Sequence, residues 1–133
     1  MNLSIVVHDG EDGAHVSTEV ELDRVIRMTC EEARARGVLN VIFLKAVNGN
    51  VLSLVVGGDD TVLSFMHRHR DPPYYASSGA QKSVHPGMTC YVGLVHHTEF
   101  PQKYIIPFKE GLIATHEFAK SEMLPQSVEW IET

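Results

Sequence analysis

The chain has 133 residues, 44% hydrophobic and 21% charged, with a formal net charge of −6. That length suits a single domain over residues 1–133, which buries roughly two-thirds of its unfolded surface and needs no metal or disulfide staple. The acidic balance disfavours direct nucleic-acid binding, because a protein that tracks phosphates shows a basic face, and no apolar run approaches the ~20 residues that span a bilayer.

The start, MNLSIVVHDGEDG, has no basic n-region and meets acid soon after Val7, so it is not a secretion signal, and the expected location is the cytoplasm. Residues 3–7 read as a strand ended by a turn-rich stretch that holds the acidic cluster Asp9, Glu11 and Asp12. Thr18 and Glu21 have capping-box spacing. Leu22, Val25, Ile26, Thr29, Cys30 and Ala33 then recur at helical intervals, and Gly37 suits the left-handed stop.

Residues 39–47 and 51–56 flank Asn48-Gly49-Asn50, a hairpin signal because Asn-Gly tolerates positive φ. A second tight turn, Gly57-Gly58-Asp59-Asp60, precedes a third strand over 61–67. RHRDPP is a loop, since two prolines cannot sit in a central strand. Shorter strands are expected at 74–77, 88–95 and 103–106, with a turn at 97–100. Pro107 fits the first turn of a second helix running to about Met123. Pro125 ends it, and residues 127–132 alternate like a terminal strand. The order predicts an α+β fold: an antiparallel twisted sheet of about five to seven strands with two helices packed against it.

His97-Thr98-Glu99 has the H-x-E form of zinc-dependent nucleobase deaminases, but such a site needs two further ligands, normally from a downstream P-C-x-x-C. No cysteine follows Glu99; Cys30 and Cys90 both precede it and lie among apolar neighbours, as buried free thiols do. His116-Glu117 begins an H-E-x-x-H pattern, yet Lys120 stands where the second histidine belongs. G-x-S-x-G and phosphate-loop motifs are absent, and Asp59-Asp60 sits in a turn where Asp favours local hydrogen bonding. The residues give no catalytic constellation, no metal site and no cofactor. A small metal-dependent or hydrolytic enzyme using the His96, His97 and Glu99 turn remains the alternative.

Four segments, VLSLVVGGDDTVLSF (51–65), DPPYYASSG (71–79), HTEFPQKYIIPFKEGL (97–112) and EFAKSEMLPQSVEW (117–130), carry a likeness that covers roughly residues 18–132. In them the chain resembles the family-one immunity proteins of bacterial polymorphic toxin systems. The resemblance implies an α+β fold, no enzymatic activity, and a role in binding and neutralising a cognate toxin, often a nucleic-acid deaminase, which would itself carry the zinc. The partner it implies is a toxin with a basic nucleic-acid-binding surface. Residues matching the family pattern are Asp59, Tyr75, Thr98, Glu99, Pro125, Glu129 and Trp130. One position departs from it: His97 stands where an aromatic residue, usually tryptophan, is expected before the Thr-Glu pair. Turns present side chains outward with few folding obligations, so Asp59, Asp60, Tyr74, Tyr75 and Glu99 are the expected toxin contacts. Thr98, Pro125, Glu129 and Trp130 are expected to serve the fold, Trp130 by packing a terminal strand onto the core.

Overall fold

Thr18 sets where the first helix begins. A computed structural model describes residues 1–7, 13–79, 85–92 and 96–133, with the backbone alone for His96; the Asp9, Glu11 and Asp12 cluster and the end of the strand expected at 88–95 lie outside the described residues. After strands β1 (Leu3–Val6) and β2 (Ala14–Val16) comes α1 (Glu19–Arg36). The Thr18 hydroxyl accepts from the Glu21 N–H at 3.1 Å, and the Glu21 carboxylate reaches back to the Ser17 N–H at 3.3 Å, one residue earlier than a strict capping box. At the other end Gly37 has φ 70°, and the Val38 N–H reaches the Ala33 carbonyl at 3.1 Å, closing the helix with a left-handed cap. β2 was not anticipated: three residues with one buried side chain, Val16, are too short for alternation to register.

Strands β3 (Asn40–Ala46) and β4 (Val51–Val56) form the expected hairpin, and Gly49 turns it at φ 93°. Next come β5 (Asp60–Thr61), β6 (Leu63–Met66), β7 (Tyr75–Ser77), β8 (Gly87–Val92) and β9 (His96–Pro101). A 3₁₀ turn (Gln102–Tyr104) leads to β10 (Ile106–Pro107), α2 (Phe108–Ser121) and β11 (Trp130–Glu132). The main sheet runs β11-β7-β6-β4-β3-β1-β2, with β8 joined in parallel to β3 at Asn40 and Tyr91, and β9 paired to β8. It holds nine strands, and β5 with β10 makes a separate two-stranded sheet, so the strand count among the described residues exceeds the five to seven expected.

Side-chain hydrogen bonding explains one of the differences. The predicted strand over 61–67 breaks in two because the Thr61 hydroxyl accepts from the Val55 N–H at 3.0 Å and donates to the Val55 carbonyl at 2.8 Å. The Thr61 side chain thus occupies the position of a backbone neighbour, and the backbone of β5 is left to pair with β10. Residues 97–100 are not a turn but part of β9, because the six-residue β8 finds its hairpin partner there. Of the strand expected at 103–106, residues 103 and 104 fall in the 3₁₀ turn and only Ile106 lies in a strand, opening β10. Pro107 serves as the N-cap of α2 rather than in its first turn, and the helix stops at Ser121, where Glu122 adopts φ 59°.

Both helices cover one face of the sheet. Leu22, Ile26 and Ala33 of α1 and Ala114, Phe118 and Ala119 of α2 pack with Ile42, Leu44, Leu52, Leu54, Leu63 and Phe65. Alternation sends those strand residues to the helix side and their neighbours to the other. The two helices are also tied at the surface: His116 Nε2 lies 2.6 Å from Asp23, and Lys120 Nζ lies 3.0 Å from Glu19. The Lys120 ammonium holds the Glu19 carboxyl below its ordinary value. No helix among the described residues is long and apolar enough to cross a membrane.

Candidate binding groove

The face away from the helices is only partly covered. On it the hairpin of β8 and β9 folds over the sheet, and Met88, Cys90 and Ile105 pack with Val41, Val55 and Val62, supported by Phe43, Val92, Phe100 and Tyr104. Beside this cluster the sheet stays open as a groove of about 570 Å³. Its shape follows from strand register. Phe43 lies opposite Ser53, Ser53 opposite Ser64, and Ser64 opposite Ala76, so one row across four strands ends in three small side chains. The neighbouring row places Val51 opposite Met66. Small residues sunk beside bulkier ones make a trough whose walls are Val92, Thr98, Phe100 and Tyr104 of the hairpin side and Tyr74 of the sheet edge. A volume of this size, mostly apolar with a few polar groups, is what binding sites present.

The expected contact residues divide between places. Tyr74 is 36% exposed at the groove's edge, and its hydroxyl donates to the Arg70 carbonyl at 2.7 Å. Its neighbour Tyr75 turns to the helix side, where its ring packs against Phe65 and His67 at centroid distances of 6.5 and 6.2 Å. Adjacent residues of extended chain at the start of β7 point to opposite faces, which separates them. Thr98 is half-buried within the groove, and its exposed neighbour Glu99 borders it along β9. Asp59 and Asp60 sit beyond the opposite end of β4 from Tyr74. There Asp59 lends its carbonyl to the Phe108 N–H at 2.8 Å, and Asp60 lies 3.7 Å from His85 in a smaller depression. Tyr74 and Glu99 therefore share a site, whereas the acidic pair stands apart from it.

His97 is exposed on β9, its ring 6.2 Å from that of Tyr91, its cross-strand partner. A ring pair thus stands at the position where an aromatic residue is expected. His97 and Glu99 alternate away from Thr98 and do not converge with a third ligand; among the described residues no group of three His, Cys, Asp or Glu side chains is placed to hold a metal. Both cysteines are free.

The last family segment forms a closed local system. The Glu117 carboxylate accepts from the backbone N–H groups of Gln126 and Ser127, Pro125 is buried, and its carbonyl accepts from the Trp130 indole. Glu129 is exposed, and its carbonyl receives the Ser78 N–H at 2.8 Å, tying this segment to the end of β7. These contacts account physically for an E-x₇-P-x₃-E-W pattern. A family model described as Immunity protein Imm1 matches residues 10–132. The chain belongs to this family of immunity proteins. A search of curated proteins finds no match to it. Membership of an immunity family implies a cognate toxin as partner, and it makes the open groove the foremost candidate for the surface that partner meets. Sequence reasoning missed the groove's floor. The signal available was the pair of V-L-S tripeptides at 51–53 and 62–64, whose serines become cross-strand partners on one face.

Proposed function

We propose that this immunity protein neutralises a nucleic-acid deaminase toxin of a bacterial polymorphic toxin system, in the cytoplasm, as a single domain without catalysis of its own. It acts by seating part of the toxin in the groove between the β8–β9 hairpin and the sheet, thereby covering the toxin's substrate-binding surface. The observation that carries this reading is the groove itself: an exposed apolar trough bordered by β9 and the sheet, on a chain of net charge −6. Exposed apolar surface of this kind is a mark of interaction sites. A toxin that holds nucleic acid presents a basic cleft, to which an acidic inhibitor is drawn by steering, and apolar contact then holds it.

Protection must precede damage, so the affinity expected is nanomolar or better, roughly −12 kcal/mol, over an interface on the order of 1,600 Å². The test is to purify this chain with the toxin domain encoded beside it and to follow deamination of single-stranded DNA and RNA. Loss of turnover at equimolar inhibitor is the expected result. Full turnover at a large excess of inhibitor, or deamination by this chain alone that Glu99→Gln abolishes, would overturn the reading.

A further inference from the structure

Among the described residues, buried hydroxyls and amides are satisfied with one exception. Thr29 donates to Ile26, Thr61 bonds Val55 twice, Ser77 bonds Leu63 and Tyr104, Thr115 donates to Gly111, and Asn50 bonds Glu122 and Arg68. Ser53 is 7% exposed and faces the groove, yet its hydroxyl has no hydrogen-bond partner among the described residues. A buried hydroxyl without a partner is costly to the fold, and here it sits in the middle of the small-residue row, with Ser64 directly across from it. Nothing in the packing needs a polar atom there, since alanine would fill the same row.

Resting on the immunity reading, we propose that the floor of the groove is an anchor point for one tyrosine side chain of the toxin, with its hydroxyl bonded to Ser53 Oγ. The lining selects this chemistry from three sides. Val41, Phe43, Val92 and Phe100 require an apolar body. Aromatic edges and the Met66 thioether favour a ring over an aliphatic chain. A serine hydroxyl both donates and accepts, and tyrosine carries its hydroxyl at the far end of the ring, so a side chain entering end-on brings it to the floor. Tyrosine also surrenders few rotamers on binding and is a frequent hot-spot residue. The net charge of −6 suits basic residues beside that tyrosine in the toxin chain.

The experiment uses a defined probe. The capped tripeptides acetyl-Lys-Tyr-Lys-amide and acetyl-Lys-Phe-Lys-amide are titrated into the isotope-labelled full chain while amide chemical shifts are followed. The tyrosine peptide should shift the amides of Ser53 and Ser64 and bind roughly fivefold more tightly than the phenylalanine peptide, the worth of one neutral hydrogen bond. Ser53→Ala should melt at or above the parent's temperature and lose that preference. Equal affinities, shifts confined to another surface, no binding at millimolar peptide, or a preference that survives in Ser53→Ala would each overturn the proposal. A parallel arm measures binding of the adjacent-gene toxin domain to the parent, to Ser53→Ala and to the groove-filling Ser53→Leu. If all three bind alike, the anchor fails while the immunity reading stands. If none binds but the tyrosine peptide still occupies the groove, the immunity reading fails and the site remains.

Discussion

The indole Nε1–H of Trp130 donates to the carbonyl of Pro125 at 2.7 Å while its ring packs 6.5 Å from that of Phe65. One side chain thus fixes the chain's return from α2 and fastens β11 to the core beside Phe118 and Tyr75. Removing a buried tryptophan costs ~3–5 kcal/mol, and because Trp130 is half-buried the lower end applies. Trp130→Ala is expected to lower stability by about 3 kcal/mol in urea denaturation. Trp130→Phe, which keeps the ring and loses the hydrogen bond, should cost about 1 kcal/mol. A Trp130→Ala variant that unfolds like the parent but no longer binds toxin would make this residue an interface anchor instead.

Asn50 joins three chain segments at one end of the sheet. It is 5% exposed, its amide donates to the Glu122 carbonyl at 2.8 Å, and its side-chain oxygen accepts from the Arg68 N–H at 2.9 Å. The β3–β4 turn, the end of α2 and the turn after β6 are held together through it. Asn50→Ala leaves a donor and an acceptor unpaired and is expected to cost about 2–4 kcal/mol. Asn50→Asp keeps the acceptor for Arg68 but brings a carboxylate against the Glu122 carbonyl, so it should recover only part of that loss. Thermal unfolding of the three proteins checks the order.

These two sites also mark what could be read in the sequence. The first helix, the hairpin at Asn48-Gly49 and the α+β class followed from local signals: a cap, a left-handed glycine and period-two runs. The tie between Asn50 and Glu122 joins residues 72 apart and leaves no local trace. The same holds for β9, whose H-T-E-F-P reads as a turn until β8 supplies a partner, and for Thr61, whose hydroxyl splits a strand by standing in for backbone. Of the expected contacts, alternation separates Tyr74 from Tyr75, but only the structure shows that Tyr74 is the outward one. Whether Asp59 and Tyr74 could share a surface depended on which ends of β4 their turns occupy, and that is tertiary information.

Cys90 is fully buried beneath the β8–β9 hairpin, and burial pushes its thiol up to about 12 from an ordinary value of 9.0. Burial also raises Cys30, which is half-buried on α1. Thiolate is the reactive form, so at pH 8 the native protein should resist iodoacetamide at Cys90 and react there only on unfolding. The folded state holds the Cys90 proton more tightly than the unfolded chain does. Its contribution to stability is therefore full below pH 9 and lost as the pH rises from 9 toward about 12. Replacing Cys90 with Ala should flatten that alkaline loss. Rapid modification of Cys90 in the folded protein at pH 8 would show that the hairpin does not seal it.

Charge and groove should act on different phases of toxin binding. Tyr75 lies opposite Phe65 and Phe65 opposite Leu52, whereas Asp59 follows Val56 at the far end of β4. Four strand steps, roughly 13 Å, separate those two ends along β4, beyond the Debye length of ~8–10 Å at physiological salt. The double variant Asp59→Lys with Asp60→Lys therefore alters steering more than final contact. It is expected to slow association several-fold at low salt and to leave dissociation nearly unchanged. Its melting temperature should stay close to the parent's, because Asp59 is exposed and supports α2 through its carbonyl rather than its carboxylate. Glu99→Lys, on the border of the groove, should slow association and also speed dissociation. Stopped-flow rates at two salt concentrations separate these effects, and raised salt should slow the parent's association toward that of the double variant. If the double variant associates at the parent's rate in low salt while Glu99→Lys does not, the acidic pair takes no part in the encounter, and the contact surface is confined to the groove and its border.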